Sequence, residues 1–185
     1  MLTQEQLIKQ ITATIGKAKV VELSKILKEQ QFALHDLIDL TFYTDKGVAF
    51  RAAWLLENIF LQDPEIYLSD LDYIIKRTID VIYPSCQRHY AKIIMHITNP
   101  KTPAAICAIV QDTDFEAVIE KLFDWMIDPK VKIAVKVFSS EALLNLRHNY
   151  TWITEELVNQ IQYLMRNGTA AIQSRGKKIL KQLGS

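Results

Sequence analysis

Cys86 and His89 stand three apart in "SCQRHYAKIIMHI", and His96 follows seven residues after His89. A thiolate and an imidazole at that spacing are half of a zinc-ligand set, and a structural zinc site needs four such ligands. No second pair with ligand spacing accompanies them. His89 and His96 share one helical face, but two turns separate them, too far for the i, i+4 geometry of a zinc-binding helix. No metal and no other cofactor is expected. His35 and His148 read as helix-end or loop residues. The five glycines are scattered, so no phosphate-cradling loop forms, and no Gly-x-Ser-x-Gly elbow anchors a hydrolase triad. The chemistry on offer is therefore charge and surface, not turnover.

The cations are placed unexpectedly. The stretch "IDPKVKIAVKVFSSEALLNL", residues 127–146, is apolar on most sides of a helix yet carries Lys132 and Lys136 one turn apart. Arg51 interrupts "AFRAAWLLENI" in the same way, and Arg88 and Lys92 interrupt the segment containing Cys86. Composition sets the frame around them. At 49% hydrophobic and 23% charged, 185 residues are enough for one globular domain with a sizeable core. A net charge of +1 gives no global attraction to nucleic acid or anionic membrane. The opening "MLTQEQLIKQITATIGKAK" lacks the continuous apolar core of a signal peptide, and no apolar run approaches the length of a membrane span. The expectation is a cytoplasmic protein with reduced thiols and no membrane partner.

Helical periodicity dominates the elements that must position these side chains, and no segment alternates with a period of two for long. The expected helices cover residues 3–15, 17–30, 32–43, 48–61, about 65–83, 85–98, 102–110, 114–127, 129–147, 152–166 and 169–183. Thr3 with Gln6 makes a capping box for the first. Asp45, "QDPE" at 62–65, "QDTD" at 111–114 and Asp128-Pro129 mark starts; Asn99-Pro100 and Asn167-Gly168 mark stops. Short connections imply antiparallel neighbours.

The segments stack on one another when Arg51, Arg88, Lys132 and Arg175 are superposed, at separations of 37, 44 and 43 residues. Lys19 in "GKAKVVELSKIL" supplies a fifth copy. With Asp128-Pro129-Lys130-Val131-Lys132 followed by Ala134, and a looser match at Asp45, Arg51 and Ala52-Ala53, the chain resembles HEAT-repeat proteins. Their two-helix units recur at about 40–47 residues. The resemblance implies an all-α, α-α superhelix (a HEAT- or armadillo-like solenoid) of about five antiparallel helix pairs, with residues 1–185 as a single domain. It also implies a protein-binding or scaffold role.

In such a stack the second helix of each pair is sandwiched, leaving one narrow exposed stripe. A helical wheel gathers Lys132, Lys136, Ser139, Ser140 and Leu143 on that stripe, Arg51, Leu55 and Asn58 on another, and Arg88, Lys92 and Met95 on a third. Residues 57–80 hold six carboxylates against two cations, and 112–128 hold six against one. An acidic outer face and a basic ridge of Arg51, Arg88, Lys92, Lys132 and Lys136 would grip an acidic segment of a protein partner. The structural alternative is that Arg51, Arg88 and Lys132 tie successive units together, with Lys92 and Lys136 facing solvent. Beyond Glu156 no acidic residue remains, while Arg166, Arg175, Lys177, Lys178 and Lys181 follow. These complement a helix dipole and cover a terminal repeat, or bind phosphate.

Nucleic acid is the alternative partner. HEAT-like alkylpurine DNA glycosylases cradle DNA in tandem helical repeats and use Trp, Asp and Arg near the damaged base. Trp54 and Trp125 sit in apolar frames and read as core. Trp152, just after a turn, is the exposed candidate and joins the expected binding residues.

Overall fold

The computed structural model describes residues 2–13, 16–30 and 32–184; the expected end of the first helix, at residues 14 and 15, lies outside them. The described residues are helical, with no strand among them. The chain divides into two compact units, Met1–Ile93 and Ile94–Ser185.

The first unit holds α1 (Gln4–Ala13), α2 (Lys17–Glu29), α3 (Leu34–Leu40), α4 (Lys46–Gln62), α5 (Leu71–Arg77) and most of α6 (Pro84–Ile97). The capping box forms as the sequence implies: Thr3 N–H donates to Gln6 Oε1 at 2.9 Å and Gln6 N–H to Thr3 Oγ1 at 3.3 Å. Asp45 caps α4, its Oδ1 accepting from the N–H groups of Gly47 and Val48 at 2.7 and 3.0 Å. Those two bonds hold the carboxyl below its ordinary value, with a smaller contribution from Arg51. The helix expected near 65–83 is broken into a 3-10 stretch at Pro64–Asp70, then α5, then a 3-10 turn at Thr78–Asp80. The break falls at Tyr67, whose φ of −111° and ψ of 27° leave the helical region.

α4 packs against α1, α2 and α3 and is the axis of this unit. Ala49, Ala52 and Ala53 let neighbouring backbones approach, while Leu55, Leu56, Ile59 and Phe60 fill the space between them. Each such Leu or Ile contributes about 1.5–3 kcal/mol by leaving water. Leu55 is fully buried, so the stripe expected to expose Arg51, Leu55 and Asn58 does not exist as drawn.

The second unit holds the last turn of α6, then α7 (Ala104–Asp112), α8 (Glu116–Ile127), α9 (Ile133–Leu146), α10 (Ile153–Arg166) and α11 (Ala170–Leu183). α9 is its axis, packed against α8, α10 and α11. Asp128-Pro129 does not open α9. Asp128 closes α8, its Oδ1 accepts from Lys130 N–H at 2.8 Å, and the helix begins only after Lys132. Gly168 serves closeness and not a left-handed turn. A Cβ there would lie 2.5 Å from the Leu164 carbonyl oxygen and 2.7 Å from Ile172 Cγ2. Gly184, with φ of 78°, does end α11 in the left-handed conformation that favours glycine.

Candidate interaction surface

In the first unit two of the ridge cations, Arg88 and Lys92, gather at one carboxylate. Glu57 lies on α4, 5% exposed, and faces the start of α6. Its Oε1 accepts from Lys92 Nζ at 2.5 Å, its Oε2 pairs with His89 Nδ1 at 2.6 Å, and Arg88 Nη1 lies 3.9 Å from Oε2. Burial raises the Glu57 pKa, but the bonds from His89 and Lys92 outweigh it, so the group stays below its ordinary value. His89 is itself buried, with Phe50 and Trp54 rings at 5.6 and 6.4 Å. Glu57, counted from the sequence among the carboxylates of an outer face, is an interior tie.

In the same arrangement Cys86 and His89 turn to different partners. The Lys92 ammonium is held by Glu57, with its side chain 29% accessible. Cys86 is buried, with its thiol directed to the Thr41 carbonyl at 3.7 Å, and burial pushes its pKa up to about 11. His89 turns to Glu57 instead. Among the described residues no three His, Cys, Asp or Glu side chains gather as a metal site requires. The Arg88 side chain is 43% accessible. Arg51 is half-buried and folded back over the first turn of α4, its terminal nitrogens 3.7 Å from where a Gly47 Cβ would stand.

In the second unit Lys136 is the clearest departure. It is 8% exposed, and its ammonium donates to the Met126 carbonyl at 2.7 Å, in the last turn of α8. Helix ends leave their last carbonyls unpaired and negatively polarised, so a cation there satisfies both the hydrogen bond and the dipole. Burial lowers the Lys136 pKa, partly opposed by Asp128. Ser139, Ser140 and Leu143 are buried with it, so the polar stripe of the wheel is an inward face. Lys132 is exposed, at the N-cap of α9. Trp152 is 43% exposed and its ring lies 5.8 Å from Phe123, while Trp125 is core, as its apolar frame implies.

A second set of cations, which the wheel did not gather, lines the hollow surface of this unit. Arg175 on α11 pairs with Glu141 on α9 at 2.5 Å. Around them lies a hollow of about 310 Å³, lined by Lys101, Lys178, Asn99, Asn145 and Gln182 among others. Its charged lining is three cations against one carboxylate. A hollow of about 440 Å³, with Val137 and Ala171, shares Arg175 and Lys178 with it. Another of about 210 Å³, with Ile97 and Val110, shares Asn99, Pro100 and Asn145. Sharing these residues, the three lie next to one another and are together called the trough; its cations line the middle hollow and the one beside α11. Asn145 is fixed there by bonds from its amide to the Met95 carbonyl and Thr98 Oγ1, at 3.2 and 3.3 Å. The basic run of the last helix was the sequence signal for this trough; Glu141 and Lys101 carried none.

A family model described as a HEAT repeat domain matches residues 7–183. Comparison with curated proteins and with solved structures gives no match. Among the described residues no helix is long and apolar enough to cross a membrane.

Proposed function

The chain belongs to the HEAT-repeat family, and from that premise we propose that it is a non-catalytic interaction module holding an acidic segment of a protein partner. HEAT repeats generally mediate protein–protein interaction or scaffolding, which supplies the class of function. The observation that carries the finer reading is the linked trough of the second unit, with Lys101, Arg175 and Lys178 at its centre. An extended peptide advances about 3.3 Å per residue, so a chain of several residues can place one acidic side chain centrally and apolar neighbours in the flanking hollows.

Of the ridge residues, Lys132 is exposed in the same unit as the trough and is offered as a further cation for the partner, while Arg88 is partly exposed in the first unit. Arg51 is half-buried, Lys92 and Lys136 hold the fold together, and Trp152 is an exposed aromatic for a rim contact. Mechanistically the module does no chemistry: it presents the exposed ammonium groups of Lys101 and Lys178 beside the Arg175–Glu141 pair.

The test is fluorescence anisotropy with pools of short acidic and neutral peptides, and a double-stranded DNA, each at low and high salt. Acidic peptides should bind, weaken with salt, and lose binding in a Lys101→Glu, Lys178→Glu variant that melts normally. Equal binding of neutral peptides would refute the reading. Preference for DNA, with a steep loss on adding salt, would replace it with nucleic-acid binding.

A further inference from the structure

We propose that the central hollow of the trough is a subsite for a phosphoryl monoester, the phosphoserine or phosphothreonine side chain of a partner segment. This inference rests on the acidic-segment reading above and narrows it.

The argument starts from Glu141. Its carboxylate already occupies Arg175 at 2.5 Å, so the hollow shows how it seats an oxyanion. An incoming Asp or Glu would offer the same group that Glu141 offers, but from solution, against a competitor tethered beside the guanidinium. A second carboxylate meets Lys101 and Lys178 but reaches the guanidinium only by displacing Glu141. A phosphoryl group differs in two ways: it carries a charge of about −1.5 to −2 and three strong acceptor oxygens. Its three oxygens offer an acceptor for each of Arg175, Lys178 and Lys101, where a carboxylate has two oxygens for three cations.

Charge and size agree. Three cations and one carboxylate leave an excess of two positive charges in the hollow, which one dianion neutralises. A volume of about 310 Å³ takes a single phosphorylated side chain and not a run of nucleotides. The flanking hollows, with Val137 and Ala171 on one side and Ile97 and Val110 on the other, suit a polypeptide. Neither free phosphate nor a polyphosphate chain has anything to place in them.

The experiment compares three short peptide pools identical except for a central Ser, Glu or phosphoserine, together with sodium phosphate and a single-stranded oligonucleotide. Affinities are read by anisotropy, and by calorimetry for phosphate. The phosphoserine pool should bind at least about tenfold tighter than the Glu pool. Lys178→Glu, at an exposed position, should remove that preference with the melting temperature unchanged. Glu141→Gln should tighten phosphopeptide binding by roughly threefold, because the tethered competitor is gone. Equal affinity for the Glu and phosphoserine pools would overturn the phosphoryl subsite and leave the acidic-segment reading standing. No preference for either over the Ser pool would overturn both. Phosphate binding without peptide discrimination would mean an adventitious ion only, and a preference for the oligonucleotide would replace a protein partner with nucleic acid.

Discussion

Replacing Glu57 tests whether the ridge cations of the first unit serve the fold before they serve a partner. Glu57 is 5% exposed and takes short bonds from His89 and Lys92. Removing one member of a buried charged pair costs about 3–5 kcal/mol. The Lys92 side chain is 29% accessible, so its ammonium can turn to water and recover part of that. His89 cannot, being 2% exposed, and a buried donor left without an acceptor costs about 1–3 kcal/mol. Glu57→Ala is therefore expected to cost about 3 kcal/mol. Glu57→Gln, which keeps one acceptor oxygen, should cost about half as much. For a chain of this size 1 kcal/mol moves the melting temperature by about 2–4 °C, so the Ala variant should melt roughly 6–12 °C lower.

The pH dependence adds a second, independent sign. The folded Glu57 carboxyl sits below its ordinary value of 4.5, so its contribution is full above 4.5 and lost as pH falls through the folded value. Urea titrations followed by tryptophan fluorescence report on it, since Trp54 lies 6.4 Å from His89. The gap between wild type and Glu57→Gln should stay constant from neutrality down to about pH 5 and close under more acid conditions. An Ala variant melting within about 1 °C of wild type would refute the reasoning. So would a gap that fails to close in acid.

Three further outcomes follow from the same contacts. Lys136→Met, which keeps the stem and drops the charge, should cost less than about 1 kcal/mol, while Lys136→Glu puts a carboxylate against the Met126 carbonyl and should cost about 3 or more; thermal melts separate them. Gly168→Ala should lose about 1–3 kcal/mol, because the atom it meets is the backbone oxygen of Leu164 and cannot rotate away; a neutral result in chemical denaturation would mean that the turn has room. At pH 8 a thiol reagent should modify the half-buried Cys107 quickly and Cys86 only at the rate at which the first unit opens, since burial removes both access and thiolate.

The fold was legible because it depends on signals that survive in one sequence. Asp45, the Thr3–Gln6 box and the recurrence of a cation at Arg51, Arg88, Lys132 and Arg175 are local or periodic, and the helices form where they imply. The exposed face was not legible, for a physical reason. A helical wheel sorts residues by direction and takes polar to mean outward, which holds for a helix with one covered side. α9 is covered by α8, α10 and α11, so its polar residues include some whose partners lie inside. Lys136 finds one in the Met126 carbonyl, a group that every helix has and no sequence pattern marks. Glu57 was hidden in the opposite sense, as a carboxylate counted on an acidic face although α6 brings His89 and Lys92 onto it.

The consequence for function is that a tally of basic residues overstates the charge available to a partner. A cation already bonded to a buried acceptor has given up part of its water and gained a fixed neighbour, so an incoming anion must compete with that neighbour. Lys92 and Lys136 are in that state. Lys101 and Lys178 are exposed and share one hollow, and Arg175 is bound to a carboxylate that is itself half-buried beside them. An anion entering there meets two ammonium groups without a partner among the described residues and one guanidinium whose partner can be displaced. This difference, more than the number of positive charges, argues for recognition between α9 and α11, with Lys92 and Lys136 left to tie helices within their own units.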